Sequence, residues 1–312
     1  MRILNFGSIN LDYVYSVEHF VQPGETILAD ELQIFPGGKG LNQSIALARS
    51  GIPVFHAGMI GEGDDFLIEL MKKAGVNTRY IRSSKESRTG NAVIQRDQSG
   101  NNCIILHGGA NQRISREYID EVLSDFSEGD FLLLQNEISN MAYLMEKAHE
   151  RGMRIILNPS PMNEALRSCP LCYVNYFILN EIEIAQLLGG DEKREEEQIH
   201  EMLKRFPGSK IVLTLGKRGS LYAEEGMDYQ QDIYPAKVMD TTAAGDSFTG
   251  YFVSGIWKGY SAKESMDLAS KAASLAVASA GAEPSIPKIE ELEAAFPLSL
   301  ISHKMPIENT ER

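Results

Sequence analysis

The stretch DTTAAGDSFTG, residues 240–250, places small residues and one acid at the start of a predicted helix over 243–257. The first N–H groups of a helix have no partner inside it, so they form a natural anion site. Ala243, Ala244 and Gly245 have little side chain to obstruct a phosphate there. Asp246 beside them can take a proton from an attacking hydroxyl. A plain helix with a favourable acid in its first turn is the simpler alternative.

On the N-terminal side of this stretch, strand-like and helix-like segments alternate. Predicted strands cover residues 3–7, 53–59, 131–135, 154–158, 174–179 and 211–215. Predicted helices cover residues 41–50, 62–74, 141–150, 181–188 and 192–206, and another follows over 262–279. This alternation predicts an α/β fold with a mostly parallel sheet covered on both faces.

Four early strands do not fit this alternation. Two are predicted over 12–17 and 27–35, and a hairpin is predicted over 92–94 and 103–106 around a polar turn. We expect them to form a small β-sheet lid, drawn from about 12–35 and 88–107. The lid would belong to a single domain over 1–300, followed by a C-terminal tail over 301–312.

Composition restricts the class of protein. The 312 residues are 43% hydrophobic and 23% charged, and 30 basic against 43 acidic residues give a net charge of −13. This charge argues against general binding of nucleic acid or anionic membranes. Neither a signal-like N-terminus nor a run of about 18 apolar residues occurs, so a cytoplasmic protein is expected.

The three cysteines, Cys103, Cys169 and Cys172, are expected to be free thiols. The last two have CxxC spacing, but the chain offers no second such pair to complete a zinc site.

The glycines of PGGKG, residues 36–40, permit close backbone approach to a ligand. Neither this segment nor the one at Gly216 has dinucleotide-fingerprint or P-loop spacing.

Five motifs together resemble those of the ribokinase-like carbohydrate kinases. They are GSINLD (7–12), PGGKGLNQ (36–43), NEIE (180–183), TLGKRG (214–219) and DTTAAGDSFTG (240–250). Their order and spacing match the family, and the resemblance runs from about residue 3 to 290. It implies a ribokinase-like three-layer α/β/α domain with a small β-sheet lid.

The resemblance also implies roles for individual residues. Asp246 would be the catalytic base, with the amides of Ala243, Ala244 and Gly245 as the anion hole. The sugar would be bound by Asn10, Asp12, Gly38, Lys39, Asn42, Glu137 and Asp246. ATP would contact Asn180, Thr214, Gly216, Gly219, Ala244, Gly245 and Ser270. Mg²⁺ would be held through water by Glu183, and K⁺ by the loops that contain Asp240, Thr242, Ala276, Gly281 and Ser285.

The implied reaction is transfer of the ATP γ-phosphoryl group to a primary hydroxyl, which is O5 if the sugar is D-ribose. The same site is compatible with deoxyribose, fructose, 2-keto-3-deoxygluconate or a nucleoside, because Leu41 and Asn136 depart from the family pattern. A sugar-binding protein without catalysis is a further alternative. The family also implies a homodimer that pairs through the lid.

Overall fold

Thirteen strands occur in the computed structural model, which describes residues 1–99, 101–190 and 194–297. They are β1 (Ile3–Phe6), β2 (Asn10–Ser16), β3 (Glu31–Gly37), β4 (Val54–Gly61), β5 (Asn77–Ser84), β6 (Gly90–Arg96), β7 (Asn102–His107), β8 (Phe131–Gln135), β9 (Arg154–Asn158), β10 (Val174–Asn180), β11 (Lys210–Thr214), β12 (Ser220–Glu224) and β13 (Met227–Gln231). The predicted tail over 301–312 lies outside the described residues, as do residues 298–300 of the predicted domain.

The larger sheet has nine strands in the order β13-β12-β11-β10-β9-β8-β1-β4-β5 among the described residues. From β11 to β5 every neighbouring pair is parallel, whereas β12 and β13 form an antiparallel hairpin at one edge. Ile3 in the middle of the sheet pairs with Val54 on one side and Phe131 on the other. The predicted mostly parallel sheet is therefore confirmed.

The smaller sheet contains β3, β2, β6 and β7 in that order, and we call it the lid sheet. The predicted hairpin is observed as β6 and β7, which pair antiparallel. The strand predicted over 27–35 instead spans Glu31–Gly37 and pairs with β2. It continues through Pro36 because β3 is an edge strand, where a residue without an N–H is tolerated.

Ten α-helices lie in the described part of the chain, and four short 3₁₀ turns accompany them. The helices are α1 (Lys39–Arg49), α2 (Phe66–Lys73), α3 (Arg116–Leu123), α4 (Met141–Glu150), α5 (Glu164–Arg167), α6 (Glu181–Leu188), α7 (Glu195–Arg205), α8 (Ala244–Trp257), α9 (Ala262–Ala276) and α10 (Ile289–Ala295). The helix predicted over 192–206 corresponds to α7, and residues 191–193 lie outside the described residues.

Two hydrophobic clusters cover the two faces of the large sheet. Because side chains alternate along a strand, Leu4 of β1 belongs to one cluster and Ile3 to the other. The first cluster includes residues of α3, α4, α6 and α7, and the second includes residues of α1, α2, α8 and α9. This arrangement confirms the expected α/β/α layers.

Sequence reasoning missed β5, α3, α5 and α10. In β5 only Thr78 and Tyr80 are buried, and the charged Arg79 and Arg82 between and beyond them obscure the strand pattern.

In the described residues, no helix is long and apolar enough to cross a membrane.

Five strand ends position the candidate site. Since β1, β8, β9, β10 and β11 run parallel, the segments that follow them leave the sheet at one edge. The residues at or after these ends are Asn10, Glu137, Asn158, Asn180 and Thr214.

Candidate active site

Helix α8 begins at this edge with an open N-terminus. Its N-cap, Ala243, has φ of 59°, an uncommon conformation for a residue with a Cβ. Among the described residues, no side chain caps this helix, although the Ala244 N–H donates to the carbonyl oxygen of Thr241 at 3.3 Å. The amides that follow Ala244 in the first turn have no side-chain cap. Thr241, Ala243 and Gly245 line an open cleft of about 190 Å³ in front of them. The role of these amides as an anion site stays a prediction.

Asp246 lies in the first turn of α8 and is only 7% exposed. Its Oδ2 accepts a hydrogen bond of 3.0 Å from Asn42 Nδ2, and its Oδ1 accepts one of 2.9 Å from Gln43 Nε2. Both donors belong to the first turns of α1. Two consecutive amides therefore fix the carboxylate while it lines the cleft.

The base of the lid sheet brings Asp12 to the same region. Asp12 on β2 pairs with Phe35 on β3, and its carboxyl group lies against Gly37. A Cβ on Gly37 would be only 2.1 Å from Asp12 Oδ2, so the glycine leaves the space that this carboxylate occupies. Burial, together with the nearby carboxylates of Glu137 and Asp246, raises the pKa of Asp12 to about 7.

Asn10 starts β2 beside Gly38, which has φ of 93° and precedes α1. Asn10 Oδ1 accepts a hydrogen bond of 2.7 Å from Asn111 Nδ2, so the orientation of its amide group is fixed. A Cβ on Gly90 would lie 2.3 Å from both of these side chains. The glycines at this junction therefore permit close packing of the lid sheet against the site.

Lys39 and Glu137 meet at the start of α1. Glu137 Oε2 accepts hydrogen bonds from the Ser8 hydroxyl and from the Lys39 backbone N–H, the latter at 3.2 Å. Burial raises the pKa of Glu137, although the Lys39 ammonium opposes this change. Burial alone would lower the pKa of Lys39, but Asp246, Glu137 and Glu183 outweigh it and raise the pKa. Lys39 is therefore a protonated cation among carboxylates.

Asn180, Glu183 and Thr214 lie on the other side of the cleft, which all three residues line. Asn180 and Glu183 form a capping box at the start of α6. In it, Asn180 Oδ1 accepts from the backbone of Glu183 at 2.9 Å, and Glu183 Oε2 accepts from the backbone of Asn180 at 3.0 Å. Helix capping thus explains part of their presence, and the Oε1 atom of Glu183 and the Nδ2 group of Asn180 remain for a ligand.

The remaining residues predicted for ATP lie further from the cleft lining. Gly216 begins a 3₁₀ turn after β11, and Gly219 follows that turn. Gly219 has a structural requirement of its own, because a Cβ there would lie 2.1 Å from the carbonyl oxygen of Gln231. Ser270 on α9 donates to the carbonyl oxygen of Asp232 at 3.0 Å. The ATP contacts of these three residues stay predictions.

The two loops predicted for K⁺ are joined through Asp240. Its Oδ1 accepts from the Thr242 hydroxyl at 2.6 Å, and its Oδ2 accepts from the Gly281 N–H at 3.0 Å. Burial opposes the charge of Asp240, but these hydrogen bonds outweigh burial and lower its pKa. Ala276 ends α9, and Ser285 lies buried in the second loop. The role of these residues toward K⁺ stays a prediction.

Three further residues at the site were not predicted. Ser8 binds Glu137 and also accepts from the Gly40 N–H at 3.2 Å. Gln43 and Asn158 contact each other at 3.0 Å beside Asp246. Gln43 lies inside the PGGKGLNQ motif, so its position was visible in the sequence, but its contact with Asp246 depends on tertiary structure.

A family model described as pfkB family carbohydrate kinase matches residues 2–289. The chain belongs to this pfkB family. The expected family resemblance is thus confirmed, and the protein is a phosphotransferase with an alcohol group as acceptor.

Several proteins named ribokinase resemble the chain over nearly its full length. A ribokinase from Staphylococcus aureus is 36% identical over 93% of this chain and 98% of its own. The crystal structure of ribokinase from Thermotoga maritima is 36% identical, with a TM-score of 0.84 over 94% of this chain and 98% of its own. Arabidopsis thaliana ribokinase, complexed with ribose and ATP, is 30% identical, with a TM-score of 0.84 over 96% of this chain and 99% of its own.

Proposed function

We propose that this pfkB-family kinase transfers the γ-phosphoryl group of ATP to O5 of D-ribose. The observation that carries the proposal is a buried carboxylate, Asp246, fixed beside the open N-terminus of α8. The curated and solved relatives named ribokinase support D-ribose as the acceptor. Asp12 and Glu137 support a polyhydroxylated ligand, because carboxylates are strong acceptors for sugar hydroxyls.

The residues divide the chemistry between them. Asp246 accepts the proton of the attacking hydroxyl as the new O–P bond forms and the bond between the γ-phosphorus and the bridging oxygen breaks, which releases ADP. The first amides of α8 stabilise the charge that develops on the transferring phosphoryl group. The ammonium of Lys39 lies among the carboxylates at the cleft and adds positive charge close to the phosphate. Asn10, Asp12, Gly38, Asn42 and Glu137 bind and orient the sugar.

ATP would occupy the cleft that Asn180 and Thr214 line. Glu183 lines the cleft, and no group of three metal-ligating side chains occurs among the described residues. These residues fit Mg²⁺ that is held mainly by water and phosphate oxygens. Bound Mg²⁺ would neutralise charge on the phosphates. For K⁺, the donor set is one ionised carboxylate, Asp240, between two loops.

The lid sheet supports a homodimer. Five large apolar side chains on its strands are exposed: Leu32, Ile34, Ile104, Ile105 and Leu106. Leu32, Ile34 and Ile105 lie on one face of the lid sheet, whereas Ile104 and Leu106 lie on the face that carries Asp12. Exposed apolar side chains that share one face are typical of protein–protein interfaces. We propose that a second copy of the chain covers the face that carries Leu32, Ile34 and Ile105.

Two further proposals concern the chain as a whole. Residues 1–300 form a single domain, and the protein is cytoplasmic.

The test of the reaction is ADP release from ATP and Mg²⁺ across a panel of acceptors, with and without K⁺. The panel is led by D-ribose and contains deoxyribose, fructose, 2-keto-3-deoxygluconate and a nucleoside. Ribose-dependent turnover that K⁺ increases supports the proposal. Turnover on another acceptor alone would reject D-ribose and retain the reaction. Ribose binding without turnover on any acceptor would leave a non-catalytic sugar-binding protein.

A further inference from the structure

Gln43 contacts Asp246 from a position that solvent does not reach, since its exposed fraction is 0%. Its Nε2 donates to Asp246 Oδ1 at 2.9 Å and to Asn158 Oδ1 at 3.0 Å. Its Oε1 accepts from Gln135 Nε2 at 2.6 Å. Every polar atom of this amide group is therefore engaged, and the reversed orientation would bring oxygen against the oxygen atoms of Asp246 and Asn158.

The partners of Gln43 are themselves held. Asn158 Nδ2 donates to the carbonyl oxygen of Ile178 at 2.9 Å. Gln135 Nε2 also donates to Asn5 Oδ1 at 3.1 Å, and Asn5 Nδ2 donates to Ser44 Oγ at 2.8 Å. A connected chain of side-chain hydrogen bonds thus runs from Asp246 into the space between the large sheet and α1.

This chain of hydrogen bonds does not carry protons. It runs through three consecutive carboxamides, those of Gln43, Gln135 and Asn5, and an amide does not titrate at ordinary pH. At its far end Ser44 Oγ lies 2.7 Å from His56 Nδ1. Burial lowers the pKa of His56 to about 3, so its ring is neutral at physiological pH. The arrangement can hold Asp246 in place but cannot relay its proton.

We infer that Gln43 is a positioning residue that sets the orientation of the Asp246 carboxylate for proton transfer, and that Gln135 and Asn158 lock it. This inference rests on the proposed function. Asn42 by itself holds only Oδ2, and rotation about the Cβ–Cγ bond of Asp246 is restrained only when both oxygens are bonded. A displacement of about 1 Å of a reacting group can reduce a rate about 100-fold.

The test compares Gln43→Met, Gln43→Glu and a matched control, Ser44→Ala. Met has nearly the length of Gln but donates no hydrogen bond. Ser44 is the next residue of α1, equally buried, and its hydroxyl contacts Asn5 and His56 rather than Asp246. The measurements are kcat and KM for D-ribose, the melting temperature, and a crystal structure of Gln43→Met beside one of the unmodified protein.

In Gln43→Met we expect kcat to fall about 10- to 100-fold, with KM for the sugar within about threefold, because the sugar contacts stay in place. Ser44→Ala should lower the melting temperature but change kcat by no more than about twofold. The crystal structure of Gln43→Met should show a rotated Asp246 carboxylate. Either an unchanged kcat in Gln43→Met or an equal loss of kcat in Ser44→Ala would overturn the inference.

The Gln43→Glu variant adds a pH signature that a purely structural role would not produce. The introduced carboxyl can donate to Asp246 only while the pair shares a proton. Its activity should therefore fall, relative to the unmodified protein, as the pH rises and this proton is lost. A pH profile of unchanged shape would contradict the inference. If the unmodified protein phosphorylated no acceptor, the proposed function would fail, whereas the two crystal structures would still decide whether Gln43 orients Asp246.

Discussion

Replacement of Asp246 by asparagine removes the proposed base while leaving most of its surroundings intact. Gln43 cannot reverse its amide, because Gln135 donates to its Oε1 at 2.6 Å. Gln43 therefore keeps its Nε2 toward position 246, and the introduced asparagine must place its Oδ1 there to accept this hydrogen bond. The new Nδ2 then faces Asn42, whose buried Oδ1 has no hydrogen-bond partner among the described residues. A flip of the Asn42 amide turns this oxygen toward the new donor, so both hydrogen bonds survive.

The effect on stability should accordingly be moderate. Two charge-assisted hydrogen bonds become neutral ones, which costs about 1 kcal/mol each. The loss of an acid from the first turn of α8 costs about 0.3–1 kcal/mol more. Loss of one negative charge beside Asp12 and Glu137 offsets part of this cost. We expect the free energy of unfolding to fall by about 1–3 kcal/mol, from these typical magnitudes.

The effect on turnover should be large. Loss of a general base reduces kcat by about 10² to 10⁴, which raises the activation free energy by about 3–5 kcal/mol. The assay measures ADP release at saturating ATP and sugar, with sugar binding and thermal unfolding measured on the same preparation. Turnover within tenfold of the unmodified protein, with sugar binding retained, would refute the role of Asp246 as the base.

Four further predictions concern the lid and the loops. Asp12→Asn should melt at a higher temperature than the unmodified protein, by a difference that grows as the pH rises from about 4 to about 7. The folded-state pKa of Asp12 is raised from 3.8 to about 7, so over that window its ionisation destabilises the folded protein relative to the unfolded one. A difference that does not depend on pH would contradict this. Gly37→Ala should raise KM for the sugar about tenfold or more, since the new Cβ would lie 2.1 Å from Asp12 Oδ2, and an unchanged KM would show that the carboxyl group can move aside. Ile105→Asp should yield monomers in light scattering after gel filtration, because Ile105 is 63% exposed on the lid sheet, and persistence of a dimer would place the interface elsewhere. Asp240→Ala should abolish the increase of turnover by K⁺, because it removes the carboxylate that joins the two loops, and a retained increase would locate the cation at another site.

The fold could be predicted from sequence where the local pattern is strong. The buried strands β8 to β11 and the helices α4, α6 and α7 between them gave clear apolar runs and periodicity, so the parallel sheet was predictable. Strand β5 and helix α3 were missed because their buried residues are spread among charged ones. The bounds of β3 were wrong because its pairing with β2, rather than local composition, decides where it begins and ends.

The candidate site was predictable where residue type and chemistry coincide. Asp246 and the small residues before it indicated a base at an anion site. The structure shows an uncapped helix start there, and its role toward an anion stays a prediction. Helix capping and a position at the ligand site were two readings of Asn180 and Glu183. Both apply, since each residue caps α6 and also lines the cleft.

The sequence by itself determined the order of the elements, the class of fold and the residue types that catalysis requires, because these depend on local periodicity and on the chemistry of side chains. Only the tertiary structure decided which groups act on one another. Gln43 and Asp246 are 203 positions apart and meet because α1 and α8 pack on the same face of the sheet. The pKa of Asp12 depends in the same way on burial and on Glu137 and Asp246, groups that no local pattern brings together.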